Sequence, residues 1–244
     1  MSSQSQKPTG SQSRPADRKA APEKSQRRTA LGMFAGAVVV ALSIVAALFV
    51  VSGPGGSTLP EVQAAAELPP DIPVNGRTIG NPDAPVKVVE WGDYQCPPCG
   101  IFAREVEPQL VSEYVATGKV HFEFRDLAFL GDESIQAAQA AGCALDQGKY
   151  WPFHDTVYAN QVGENAGAFS KDRLQQIAQK ANLDINAFNS CVDAQTHKDE
   201  VAAMAAEANG AGINSTPTIL VNGQRVNYQG YGSLKTAIDA ALKK

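Results

Sequence analysis

The chain has 244 residues, 43% of them hydrophobic and 19% charged, with a net charge of −4. That is ordinary globular composition, enough for one large domain or two small ones. Seven basic residues but only two acidic ones fall among the first 30, so the remainder carries −9, which argues against nucleic acid and against docking on anionic lipid.

Residues 1–29 are mostly Gln, Ser, Pro, Lys and Arg, cannot bury a core and are expected to form a disordered basic tail. Residues 30–51, ALGMFAGAVVVALSIVAALFVV, hold no charge over 22 positions. A helix of that length spans roughly 30 Å, the thickness of a bilayer's hydrocarbon core. A buried core helix rarely lacks every polar face. A cleaved secretory signal is the closer rival, with VQAAAE downstream as a weak cleavage site, but its apolar run is usually about 7–15 residues. The segment therefore reads as one N-terminal transmembrane anchor. Basic residues flank its N-terminal side, which puts the tail in the cytoplasm and residues 52–244 outside the cell membrane. Cys96, Cys99, Cys143 and Cys191 all lie on that outer side, where disulfides persist.

Residues 52–74 contain five prolines and three glycines and read as an extended spacer. The folded domain is expected over 75–244. VKVVEW at 86–91 is a short apolar run, hence a buried strand. A helix follows from about Pro97 to Ala116, with Phe102, Val106, Leu110, Val111 and Tyr114 forming its core-facing stripe. KVHFEFRD alternates, with Val120, Phe122 and Phe124 on one face and His121, Glu123 and Arg125 on the other, so it is a strand. Residues 131–211 are Ala-rich at helical spacing and divide into four expected helices. TPTILVNGQRV at 216–226 returns to strand, with Asn222-Gly223 as a two-residue hairpin turn. A final helix covers about 233–243. The order predicts a small mixed α/β sheet, with a parallel strand–helix–strand start, helices on both faces and a helical insertion of about 80 residues.

Cys96 and Cys99 are separated only by Pro97 and Pro98. A structural zinc site needs four ligands, usually in two close pairs, and no second Cys-x-x-Cys exists. As a staple the pair closes so short a loop that it removes little unfolded-state entropy. Redox chemistry explains the placement. Cys96 lies between a strand and a helix, where unpaired backbone N–H groups favour a thiolate. Pro97 suits the first helical turn, where its missing N–H is no loss. Cys99 lies one turn along, in reach of the Cys96 sulfur. Cys96 then exchanges with a client and Cys99 resolves the intermediate. No cofactor beyond this redox-active pair, and no metal, is expected. Cys143 and Cys191 are either free buried thiols or, in an oxidising space, a structural disulfide clamping the insertion. Trp91 and Tyr94 are candidates for a client surface or for packing; Asp126 and His154 read as helix-end or surface groups.

The Asp-Tyr-Gln-Cys-Pro-x-Cys stretch, the inserted helices and the later Thr216-Pro217 resemble the DsbA-like thiol:disulfide oxidoreductases of the thioredoxin fold, over about residues 75–244. The resemblance implies that Pro217 is cis and packs beside the redox pair, and that the Thr216 backbone pairs with an extended client segment. It places a buried acid at Glu90, able to accept and return the proton of Cys99. It also agrees with a second disulfide of the Cys143–Cys191 kind. The family's oxidants often carry His where this chain has Pro98. Two prolines remove two backbone donors near the sulfur, which should raise its pKa and weaken its oxidising power.

The expected function is a membrane-anchored extracytoplasmic thiol oxidase, giving its disulfide to secreted protein thiols and reoxidised by an integral-membrane quinone-linked partner. A reductase that keeps particular thiols reduced remains open, as does a non-enzymatic tethered peptide-binding module. No dimerisation segment is visible, so a monomer is expected.

Overall fold

The computed structural model describes residues 59–244, and the expected tail and anchor lie outside them. Among the described residues no helix is long and apolar enough to cross a membrane. Six strands form one sheet: β1 (Val74–Asn75), β2 (Thr78–Ile79), β3 (Val86–Gly92), β4 (Val120–Asp126), β5 (Thr218–Val221) and β6 (Gln224–Arg225). Their spatial order is β1-β2-β4-β3-β5-β6. Only β3 and β4 run parallel, Val86 to Gly92 facing Val120 to Asp126, as a strand–helix–strand unit requires. β5 pairs antiparallel on the other side of β3, with Glu90 opposite Ile219.

The periodicity explains the two-sided burial. Val86, Val88, Val120, Phe122 and Phe124 point into the main core, where every one is fully buried. Val89 and Trp91 point the other way, into a smaller cluster with Met204, Ala208 and Ile213. Helix α1 spans 97–115, and its expected stripe of Phe102, Val106, Leu110, Val111 and Tyr114 is buried. It is not a uniform α-helix. A π-type stretch, Phe102–Val106, lies just before Pro108. Pro108 cannot donate to the residue 104 carbonyl and its ring crowds that carbonyl, so the ladder widens there.

The insertion holds five helices rather than the expected four: α2 (Asp132–Leu145), α3 (Tyr150–Ala159), α4 (Lys171–Lys180), α5 (Ile185–Asp193) and α6 (Lys198–Gly210). One of the breaks falls at Gln195, which adopts φ 51°. Glutamine is not a residue that announces a left-handed helix end, so the sequence hides this boundary. The C-terminal helix α7 (Tyr231–Ala241) packs Leu234 and Ile238 into the core. The β5–β6 turn is the expected Asn222-Gly223, both at positive φ, 47° and 77°.

Two further expectations need correction. The spacer is not free over its whole length. Val62 is buried, and Asn160 both accepts from the Gln63 N–H at 2.9 Å and donates to the Gln63 carbonyl at 2.7 Å. Arg173 donates to the Pro60 carbonyl. Extended chain from residue 59 is thus strapped onto α3 and α4, because its backbone finds side-chain partners there. A domain boundary at 75 would also cut the β1–β2 hairpin, in which Val74 faces Ile79 across Gly76 at φ +60°.

Cys143 on α2 and Cys191 on α5 are joined, with Cα atoms 5.8 Å apart. Replacing both by Ala reopens a loop of 48 residues, which on the chain-entropy model costs roughly 4 kcal/mol of stability. Denaturant unfolding of the double variant in non-reducing buffer should show that loss, with alkylation of Cys96 in the folded state unchanged.

Candidate active site

The end of β3 and the start of α1 bring the redox pair to one end of the sheet. Asp93, buried and given no role from the sequence, organises the loop between them. Its Oδ1 accepts from the Gln95 N–H at 2.8 Å and the Ser134 hydroxyl at 2.6 Å. Its Oδ2 accepts from the N–H groups of Phe129 at 2.9 Å and Leu130 at 3.1 Å. One carboxylate therefore ties the loop before the pair to the loop after β4. Gln161 adds a second tie, donating to the carbonyls of Tyr94 at 2.6 Å and Cys96 at 3.0 Å. Aspartate in a loop that leads into a helix is a weak signal alone, since three of its four partners lie 36 to 41 positions away.

Cys96 is the residue before the first helical turn, with extended backbone at φ −67°, ψ 116°. Pro97 and Pro98 fill the first two helical positions and bring no N–H. The Gly100 N–H bonds the Cys96 carbonyl at 3.1 Å, leaving the Cys99 N–H as the nearest donor free to face the sulfur. Cys96 and Cys99 are both in the thiol form. The Thr216–Pro217 bond is cis and brings the Thr216 carbonyl to the pair, where it accepts from the Cys96 thiol at 3.4 Å. The Thr216 hydroxyl is buried and has no other partner, so it is free to turn and donate once the sulfur is ionised.

These contacts separate the two thiols. The Cys96 pKa falls to about 7. The hydrogen bond from the Cys99 thiol is the largest cause; partial burial opposes it, and Thr216 and the Cys99 N–H add to the lowering. The expected role of the helix start is thus narrowed to one N–H, and the neighbouring thiol outweighs it. Burial pushes the Cys99 thiol well up, reinforced by its bond to Cys96 and by the charge of Glu90. Glu90 is 1% exposed on the central strand, and its Oε1 has no partner. Burial, and then the negative charge of Cys96, push its carboxyl well up.

Other sequence-level candidates move. Trp91 and Tyr94 are buried and belong to packing rather than to any client surface. The Arg125 guanidinium lies 4.5 Å over the Trp91 ring, and the Tyr94 hydroxyl donates to that of Tyr150 at 3.4 Å. Asp126 and His154 are not surface groups. Arg77 pairs with Asp126 at 2.6 Å, and burial, opposed by that arginine, leaves the Asp126 carboxyl at about 6. His154 is fully buried among aromatic rings.

A family model described as thioredoxin matches residues 73–240. The chain is 34% identical to "Probable disulfide bond formation protein D" of Bacillus cereus, over 69% of this chain and 79% of that protein. It is 30% identical to disulfide bond formation protein D of Bacillus subtilis, over 68% of this chain and 76% of that one. The chain belongs to the DsbA-like family of thioredoxin-fold disulfide oxidoreductases. The crystal structure of oxidised BdbD from Bacillus subtilis superposes with a TM-score of 0.66 at 27% identity, covering 69% of this chain and 94% of that one. A thioredoxin-like oxidoreductase from Silicibacter pomeroyi gives 0.59 at 30% identity, covering 72% and 95%. As a member of this family the chain is a thiol:disulfide oxidoreductase with a Cys-x-x-Cys motif.

The titration of Cys96 is directly measurable. In the reduced protein, single-site alkylation should rise with a midpoint near pH 7, against about 8.5 for a free cysteine. Thr216→Val removes the hydroxyl but keeps the carbonyl, so the midpoint should move upward. Because the folded value lies below the unfolded one, this thiolate stabilises the reduced fold fully at high pH. That contribution is lost as pH falls through about 7.

Proposed function

We propose that the chain is a membrane-anchored extracytoplasmic oxidase that passes a Cys96–Cys99 disulfide to secreted protein thiols. The observation that carries this reading is the asymmetry of the pair: an outer sulfur with a depressed pKa against an inner one with a raised pKa. A client thiolate attacks the Cys96 sulfur of the disulfide and forms a mixed disulfide; Cys99 leaves with the electron pair. Glu90, whose carboxyl burial pushes well up, gives its proton to the Cys99 sulfur. The client's second thiolate then attacks its own half of the mixed disulfide, and Cys96 leaves as a thiolate that the Cys99 and Thr216 contacts stabilise. The client gains one disulfide and the enzyme holds two more electrons. An integral-membrane quinone-linked partner takes those electrons back.

The Thr216 backbone beside the sulfur supports docking of an extended client strand. Ile101, Phe129 and Val162 are 48%, 50% and 40% exposed. Each lies next to a segment hydrogen-bonded to the redox loop, which makes them the apolar contacts for a client. The extracytoplasmic reading rests on the uncharged 30–51 segment, the basic residues before it and the Cys143–Cys191 bond.

The reductase reading keeps one specific observation. A Cys96 pKa of about 7 matches the thioredoxin value of about 7 rather than the value of about 3.5 in the strongest oxidants. The oxidase reading therefore predicts a mild oxidant. Equilibration in graded glutathione buffers should place the pair between about −120 and −270 mV. A potential at or below about −270 mV makes the chain a reductase.

The role of Glu90 has its own test. Glu90→Gln keeps the shape but cannot supply the proton, so release of Cys99 from a model disulfide exchange should slow by about a hundredfold. Thermal stability should change little, because the amide matches the protonated carboxyl in shape and in being neutral. Stopped-flow fluorescence and a melting curve on the same sample read both.

A further inference from the structure

Away from the redox pair, α1 and α3 bring together three groups that the reaction does not use. Glu107, His154 and Asp155 each place a potential ligand atom within 4.8 Å of the other two. Glu107 is only 4% exposed, and among the described residues its carboxyl makes no hydrogen bond; its Oε2 is fully enclosed. His154 is 0% exposed with Nε2 unpartnered, while Nδ1 lies 2.7 Å from Asp155 Oδ1. Glu107 and Asp155 also line a cavity of about 440 Å³, closed on one side by the strap at residues 64–69.

A buried carboxyl with no partner is costly. Proton sharing with Asp155 would relieve it, but that requires a hydrogen bond between the two carboxyls, and none is formed. A cation satisfies all three groups at once. We propose that Glu107, His154 and Asp155 form a binding site for a first-row divalent cation, with zinc as the best match. One imidazole and two carboxylates suit zinc, whereas calcium and magnesium take oxygen ligands. Three protein ligands leave a fourth position, and the cavity supplies space for water or a small anion there. Binding displaces the His154–Asp155 contact and any proton on Glu107, so affinity rises with pH.

The fold holds the site in two ways. His154 is fixed by the rings of Phe124, with centroids 4.5 Å apart, and Trp151, at 4.9 Å. Glu107 follows directly on the π-type stretch and lies on the same helix face as the buried Leu110 and Val111, three and four residues on, so α1 carries it inward. The sequence does not disclose the cluster, because zinc is sought there among cysteines and His154 reads as a surface group.

The test uses the full chain in detergent, with the Cys96–Cys99 disulfide formed so that thiols cannot compete, stripped with a chelator and titrated with zinc by calorimetry. One zinc should bind per chain. Cobalt should give visible d–d absorption without a sulfur-to-metal band. Glu107→Gln and Asp155→Asn should each weaken binding by roughly tenfold or more. Near-UV circular dichroism confirms that both variants fold. His197→Ala, which removes the separate Asp146–His197–Glu200 cluster, should leave the affinity unchanged. Absence of a saturating one-to-one isotherm overturns the proposal. So does binding that survives both carboxylate substitutions, or binding abolished by His197→Ala.

Discussion

The chemistry of this molecule depends on how one sulfur is allowed to carry charge. Cys96 sits at the amino end of a helix, but two prolines strip the first turn of donors. What remains is the Cys99 thiol, the Cys99 N–H and Thr216 in the loop that leads into β5. Four unpaired N–H groups would offer a diffuse field; here a few discrete donors replace it. The result is a thiolate stabilised enough to leave at neutral pH but less than in a strongly oxidising relative. Oxidising strength is then set by a side-chain contact and a loop position, both open to tuning by single substitutions.

The rest of the fold keeps those donors in place. β3 delivers Glu90 and the Asp93 loop, and β5 delivers Thr216 from more than a hundred residues away. Their adjacency in the sheet, with β3 at the centre, explains why a cis-Pro loop far along the sequence can touch the sulfur. Asp93 fastens the redox loop to the segment carrying the exposed Phe129. The insertion helices bury the inner side of the pair. That burial pushes the Cys99 thiol and the Glu90 carboxyl up together.

The main strands and α1 were legible because each carries a clean period: Val120, Phe122 and Phe124 at two, Phe102, Val106, Leu110 and Tyr114 at four. The Asn222-Gly223 turn was legible for the same local reason. What stayed hidden depends on non-local partners. The β1–β2 hairpin has only two residues per strand, below the length at which alternation can be seen. The strap at 59–72 is held by Asn160 and Arg173, and no feature of a proline-rich segment announces them. Asp93 appeared in the motif, yet three of its four hydrogen bonds reach residues from another loop and helix. Glu107 lay inside a correctly placed helix, three and four residues before Leu110 and Val111 on the core-facing stripe, but a charged residue among apolar ones is read by default as pointing outward.

The central claim is that the neighbouring thiol, more than the helix end, holds Cys96 ionised. Carbon-13 titration of labelled Cys96 in the reduced protein and in Cys99→Ala tests it. The account predicts a midpoint near 7 in the parent protein and a clear upward shift toward the free-cysteine range, about 8.5, in the variant. An unchanged midpoint in Cys99→Ala would contradict it and return the charge to the helix backbone.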